Sequence, residues 1–436
     1  MKVVDMLCGK DHENDTEYQP LRSSSTDPWQ AESESSRPKA RVSDVRKVWK
    51  NLGWTVVIAT GLVGVTFFLV VFGIERYFVH VYESSGLSLA DPFEGTENST
   101  ESAARWVKRL SPHVSPVMVH SHNDYLRPRP LLSALSVGCV SVEADVWQSE
   151  DGKELLVGHH WWDLTPKKTL HSLYIDPLLQ ILDLINGEYL RGTPRSDEHP
   201  AGVFANYPNR TLILFIDVKD DPVTTWPLVL EQLQPLRDRN YLSRHDKILS
   251  SATNQTFYYG PLTIVGTGNI VKRRDVNIGT DPEQWRQYHD IFLDASLDLL
   301  SRPGYCERND TYCFDVQENE FYTASVSLWR AIGTLMFGFS TSQLKTIRSQ
   351  IQSAKRMNLK SRYWELPGWP ISYRNYVWKI LAREGIDLLN ADDIVSAATR
   401  HWGSNSHKVP ERDHTTSRQL ATMMNRVRRG FGLMDI

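Results

Sequence analysis

Cysteine is scarce in this sequence: four in 436 residues, at Cys8, Cys139, Cys306 and Cys313. That excludes a disulfide-built scaffold, so a packed core must hold the chain. An excess of one charge sign is also lacking. Lys and Arg number 49 against 52 Asp and Glu, and the net charge of -3 gives no reason to expect nucleic acid. No G-x-G-x-x-G loop follows the first β-rich run, which counts against a doubly wound dinucleotide-type sheet. Long apolar runs are missing, with one exception. Residues 54–73, WTVVIATGLVGVTFFLVVFG, carry no charge.

About 20 apolar residues suffice to cross the hydrocarbon core of a bilayer. The sequence therefore predicts one transmembrane helix over 51–76, after a polar, disordered cytoplasmic tail at 1–50. Arg37, Lys39, Arg41, Arg46, Lys47 and Lys50 precede the span, and acidic residues follow it. Positive charge stays cytoplasmic, so the expected topology is single-pass type II, with everything after Arg76 on the lumenal or extracellular side. The bilayer is the first expected partner. Sequons at Asn98, Asn209, Asn254 and Asn309 fall on that side. Cys306 and Cys313 bracket a short polar loop there. They read as a disulfide in an oxidising compartment or as two free thiols. Residues 77–106 read as a linker, 107–403 as the folded domain, and 404–436 as a polar, basic tail.

From residue 115 onward, short β-rich runs alternate with helical stretches. The runs are 116–122, 139–147, 211–219, 261–268, 290–296, 321–328, 361–367 and 385–391. Helical candidates include 131–137, 170–185, 226–236, 341–357 and 371–384. Alternation of this kind implies a parallel sheet. Eight units in about 280 residues suit a closed α/β (β/α)₈ TIM barrel, with an open doubly wound sheet as the alternative. Barrel chemistry sits at the C-terminal ends of strands. His122, Glu143, Asp145, Asp217, Lys219, Glu365 and Asn390 all fall at such ends.

Glu143 and Asp145 stand at i and i+2 of one strand, so both side chains take the same face. Adjacent carboxylates repel unless neutralised, and Asp217 adds a third oxygen donor. An all-oxygen set fits Mg²⁺ or Ca²⁺ better than Zn²⁺. Solvated or ion-paired carboxylates are the plainer alternative. His122 and His159 flank this cluster in sequence order, and imidazoles titrate near neutral pH, as proton transfer requires.

On these residues the block 119–160 resembles the phosphatidylinositol-phospholipase-C-like phosphodiesterases. Glycerophosphodiester phosphodiesterases and sphingomyelinase D are members of that superfamily. Their pattern is a His ending strand one, Glu-x-Asp on strand two, then Asp-Gly and a second His. Here it reads His122, Glu143, Asp145, Asp151-Gly152 and His159. HSHNDY, PLLSALSVGCVSVEADVW, LLVGH, SLYIDPLL, RYWELP and LLNADD are similar to a fungal group named altered inheritance of mitochondria protein 6. The resemblance implies His122 and His159 as the acid/base pair and Glu143, Asp145 and Asp217 as metal ligands. It also implies Lys219 as a phosphate contact, Trp364 as a pocket wall, and a phosphodiester or phospholipid substrate. Two positions depart from the pattern. Asn123-Asp124 stands where glycerophosphodiesterases have Arg-Gly, so Asn123 takes the place of a phosphate-binding Arg. His160 stands where Asp commonly follows the second His, which leaves His160 open as the working base.

Two other functions fit parts of the sequence. A catalytically weak barrel would serve as a membrane-tethered binding or scaffolding module. His120-Ser121-His122 also matches the His-x-His pair of metal-dependent amidohydrolases, which need further His ligands such as His245 or His289.

Overall fold

The computed structural model describes residues 42–84, 92–93, 95, 98–187, 199–247, 256–300, 319–335 and 338–399. The expected Cys306–Cys313 bridge, the sequons at Asn254 and Asn309, and the tail 404–436 lie outside the described residues. Asn98 and Asn209 are both exposed.

Two compact units divide the chain after Leu89. In the first, a helix runs Val42–Ser84, longer than the predicted 51–76. Its stretch Trp49–Val70 has 22 residues, a mean hydropathy of 2.0 and no side chain buried within the protein. That length and composition suffice to cross a bilayer. The hydroxyls of Thr55, Thr60 and Thr66 each donate to the carbonyl four residues back, so these polar groups need no water.

The second unit is a closed barrel. Its sheet contains β1 (Val117–Ser121), β2 (Cys139–Gln148), β3 (Leu155–Val157), β4 (Leu212–Val218), β7 (Leu262–Gly268) and β9 (Ile291–Ser296). It is completed by β10 (Phe321–Ser327), β11 (Lys360–Trp364) and β12 (Leu388–Ala391). Around the barrel the order is β1, β12, β11, β10, β9, β7, β4, β2, and pairing of β2 with β1 closes it. These eight strands are parallel throughout. They match the eight predicted runs. β3 is an extra strand that folds back antiparallel on the overlong β2. β5 (Arg244–Asp246), β6 (Phe257–Tyr258) and β8 (Tyr288–His289) form a separate small antiparallel sheet.

Alternation along β2 explains how the sequence builds both faces. Val140, Val142, Ala144 and Val146 are buried with the helical shell's apolar side chains in one continuous core. The intervening Ser141, Glu143 and Asp145 face the barrel interior, where they meet His120 of β1, Arg362 of β11 and Lys219 just past β4. Burying Val-sized side chains contributes about 1.5–3 kcal/mol each. Phe93, Ala103 and Trp106 belong to this same core. The folded unit therefore includes residues ahead of Val107, inside the segment predicted to be a linker. Asn98 caps the helix Ser99–Arg105 by accepting from the Glu101 amide.

Candidate functional site

Strand register creates the acidic cluster. Asp145 of β2 and Asp217 of β4 are direct cross-strand partners. Glu143 sits two residues earlier on the same inward face of β2. One oxygen from each of Glu143, Asp145 and Asp217 lies within 4.8 Å of the others. Lys219 leans over the pair, with Nζ 2.9 Å from Asp145 Oδ2 and 2.8 Å from Asp217 Oδ2. Gly268, at φ +74, makes room: a Cβ there would sit 1.9 Å from Asp217 Oδ1.

Electrostatics set the three carboxyls apart. Burial, then the charges of Glu143 and Asp217, push the Asp145 carboxyl up to about 6, against the pull of Lys219. Asp217 is also raised, chiefly by burial. For Glu143, burial acts upward, but contact with His120, Arg362 and His122 holds it well below the usual carboxylate range. Asp145 Oδ1 is buried and has no hydrogen-bond partner among the described residues. Such an orphan costs about 1–3 kcal/mol unless something else satisfies it. An oxygen-lined space with one unsatisfied carboxylate atom is what a hard divalent cation requires. The residues present therefore fit a metal ion.

The histidines divide into distinct roles. His122 Nδ1 lies 2.7 Å from Asp392 Oδ1, and its Nε2 faces Glu143 Oε2 at 3.9 Å. Burial lowers the His122 pKa, but the Asp392 hydrogen bond and the charges of Glu143 and Asp392 outweigh it, for a net rise. His159 Nδ1 lies 3.2 Å from Asp145 Oδ2 and 3.2 Å from the Tyr125 hydroxyl. His160 stacks on the exposed Trp162 instead. Between the two candidates for a second working His, the structure thus brings His159 to the carboxylates.

His120 is fully buried one layer below. Its Nε2 lies 3.0 Å from Arg362, which can only donate, so Nε2 accepts and Nδ1 donates to Ser141 Oγ. Burial, then Arg362, lowers its pKa to about 4, so it is neutral. A metal ligand's lone pair is not free there. His245 and His289 pair with each other across β5 and β8, apart from His120 and His122. The further ligands an amidohydrolase needs are not supplied by these two.

Asn123, at φ 48, donates its backbone N–H to Glu143 Oε2 at 3.1 Å. Its side-chain oxygen lies 2.7 Å from the Tyr125 hydroxyl, which is also 2.8 Å from Asp145 Oδ2. Asp124 is a buried structural carboxylate that accepts from the Leu131 amide and from Tyr174. The His122–Tyr125 run therefore shapes the acidic cluster from one side. Trp364 ends β11 half-exposed, Asn390 accepts from Arg362, and Glu365 is bonded to Ser327. Tyr125, Arg362 and Asp392 escaped the sequence reading. Tyr125 was within reach of it, as part of the contiguous polar motif HSHNDY.

The profile described as the AIM6-like phosphodiesterase domain matches residues 108–294. An altered inheritance of mitochondria protein 6 homolog from Arthroderma benhamiae is 36% identical over 324 residues, covering 71% of this chain and 92% of that protein. This chain belongs to the altered inheritance of mitochondria protein 6 family. The Eremothecium gossypii member is also 36% identical, over 63% of this chain and 67% of its own length. A glycerophosphoryl diester phosphodiesterase from Parabacteroides distasonis aligns in structure with a TM-score of 0.36 and 10% identity, covering 73% of this chain and 95% of that one. The matched domain and the strand order give this member of the family a phosphodiesterase-like barrel with a candidate acidic metal site.

Proposed function

We propose that this chain is a membrane-anchored phosphoric diester hydrolase dependent on a divalent cation, acting on glycerophosphodiester or phospholipid-type substrates. The observation that carries this reading is the buried Asp145 Oδ1, unpartnered among the described residues and set within three converging carboxylates. Glu143, Asp145 and Asp217 hold the cation, which when bound supplies positive charge against a phosphoryl group. Lys219, already salt-bridged across the site, donates to a phosphate oxygen. His122 keeps its Nδ1 proton on Asp392, so its Nε2 takes a proton from the attacking hydroxyl or returns one to the leaving oxygen. His159 performs the complementary transfer. Asn123 and Trp364 line the substrate side. The apolar helix anchors the chain, and flanking charge puts the barrel on the lumenal or extracellular face. Exposure of Asn98 and Asn209 is compatible with glycosylation there.

The test is a screen of the purified full chain against glycerophosphodiesters, lysophospholipids and sphingomyelin, with Mg²⁺, Ca²⁺ or chelator. Cation-dependent cleavage that Glu143→Ala abolishes supports the proposal. Absence of cleavage throughout overturns it and assigns the barrel to binding.

A further inference from the structure

Among the described residues of the folded unit, exposed tryptophans occur at one end of the barrel. Trp161 is 69% exposed, Trp162 62%, Trp329 66%, Trp364 36% and Trp369 62%. Trp161 and Trp162 follow the β2–β3 hairpin, Trp329 follows β10, Trp364 ends β11, and Trp369 comes five residues later. All lie at or just beyond the C-terminal strand ends, around the mouth that holds Asp145 and His122. At the opposite end, the exposed Tyr207 and Tyr259 precede β4 and β7.

Indoles this exposed expose apolar area that a soluble surface normally hides. Their natural setting is the headgroup layer of a bilayer, where an apolar body and a polar N–H are both accommodated. The first pair is preorganised: Trp161 and Trp162 meet edge-on with centroids 5.6 Å apart, and His160 stacks on Trp162 at 4.2 Å. Less freedom is then lost on insertion. Charge points to the same occupant. Lys167 and Lys168, in the same loop, are exposed and make no ion pair among the described residues. Against the single Asp163 of that loop they leave an excess of positive charge, suited to anionic headgroups. The chain also carries a helix of membrane-spanning length.

We propose that the barrel mouth docks on a phospholipid bilayer, with the indoles at headgroup depth and Lys167 and Lys168 on anionic lipid, so that the site opens onto the membrane surface. This rests on the proposed function only in taking the mouth as the working face; it does not require turnover.

The test is hydroxyl-radical footprinting of the full chain by mass spectrometry. The chain is held in nanodiscs of phosphatidylcholine, in nanodiscs containing phosphatidylserine, or in an amphipathic polymer without lipid. Docking is supported if oxidation of Trp161, Trp162, Trp329 and Trp369 falls about fivefold or more in the serine-lipid discs relative to the polymer, while Tyr207 and Tyr259 are unchanged. Lys167→Glu with Lys168→Glu should erase the extra protection that the anionic lipid confers. Equal oxidation in discs and polymer overturns docking. So does protection that appears without lipid and grows with protein concentration, which marks a protein partner or second copy. Protection without any hydrolysis would leave docking standing and remove the enzymatic reading.

Discussion

His122 Nδ1 and Asp392 Oδ1 lie 2.7 Å apart across 270 residues of sequence. The closure of β12 onto β1 creates that contact, since Ser121 and Ala391 are register partners. A carboxylate on Nδ1 fixes the tautomer and leaves Nε2 for the substrate.

Asp392→Asn should therefore lower turnover by about 10–100-fold with little change in KM, as expected for the positioning partner of a working imidazole. Burial lowers the His122 pKa and the Asp392 bond and charge help raise it, so losing Asp392 moves the His122 limb of the pH–rate profile to lower pH. A drop in rate with an unmoved profile would make Asp392 merely structural.

Arg362 fills the barrel's centre. It donates to Ser325, His120 and Asn390, and lies 3.8 Å from Glu143 and 3.6 Å from Asp294. Arg362→Met leaves two buried carboxyls without their cation and should cost about 3–5 kcal/mol in urea unfolding. Asp294→Asn added to it should recover part of that loss. Additive losses would argue against the coupling.

These three residues mark what the sequence could and could not disclose. The eight β-runs stand out because each is a short apolar-rich segment bounded by turns or helices, and Glu143, Asp145 and Asp217 stand out because carboxylates inside apolar β-runs are costly to bury without a partner. Arg362 does not. In SRYWELP it reads as any strand arginine with its head in solvent, and only the register of β11 against β10 and β12 turns it inward. Asp392 sits beside Asp393 in a short acidic run. Nothing local distinguishes the one that meets His122 from its neighbour, which pairs with Arg374. Long-range closure, not local pattern, decides both.

The stack of Trp285, His289 and His245 gives the fold an acid-labile element. Ring centroids are 4.1 Å apart for Trp285–His289 and 5.0 Å for His245–His289. Burial, then the charges of His289 and Lys247, lower the His245 pKa from 6.5 to about 4, and burial also lowers His289. A histidine depressed on folding contributes in full above the unfolded value of 6.5 and loses its contribution as pH falls toward 4. Stability to thermal unfolding should therefore fall across that window, by on the order of 2 kcal/mol for His245 after a discount for solvent screening. His245→Gln should flatten the dependence; an unchanged slope would place the acid sensitivity elsewhere.

The claim on which the rest depends is that Glu143, Asp145 and Asp217 bind a divalent cation, and thermal unfolding with and without Mg²⁺ or Ca²⁺ addresses it most directly. Without cation, the raised Asp145 carboxyl makes the wild-type fold lose stability as pH rises through about 6. Cation at about 100 times its Kd should add about 3 kcal/mol. Asp145→Asn should unfold at a higher temperature than wild type in chelator, because a repelling charge is gone, and should not respond to cation. A wild-type chain indifferent to both cations, or an Asp145→Asn chain that still responds, would contradict the account.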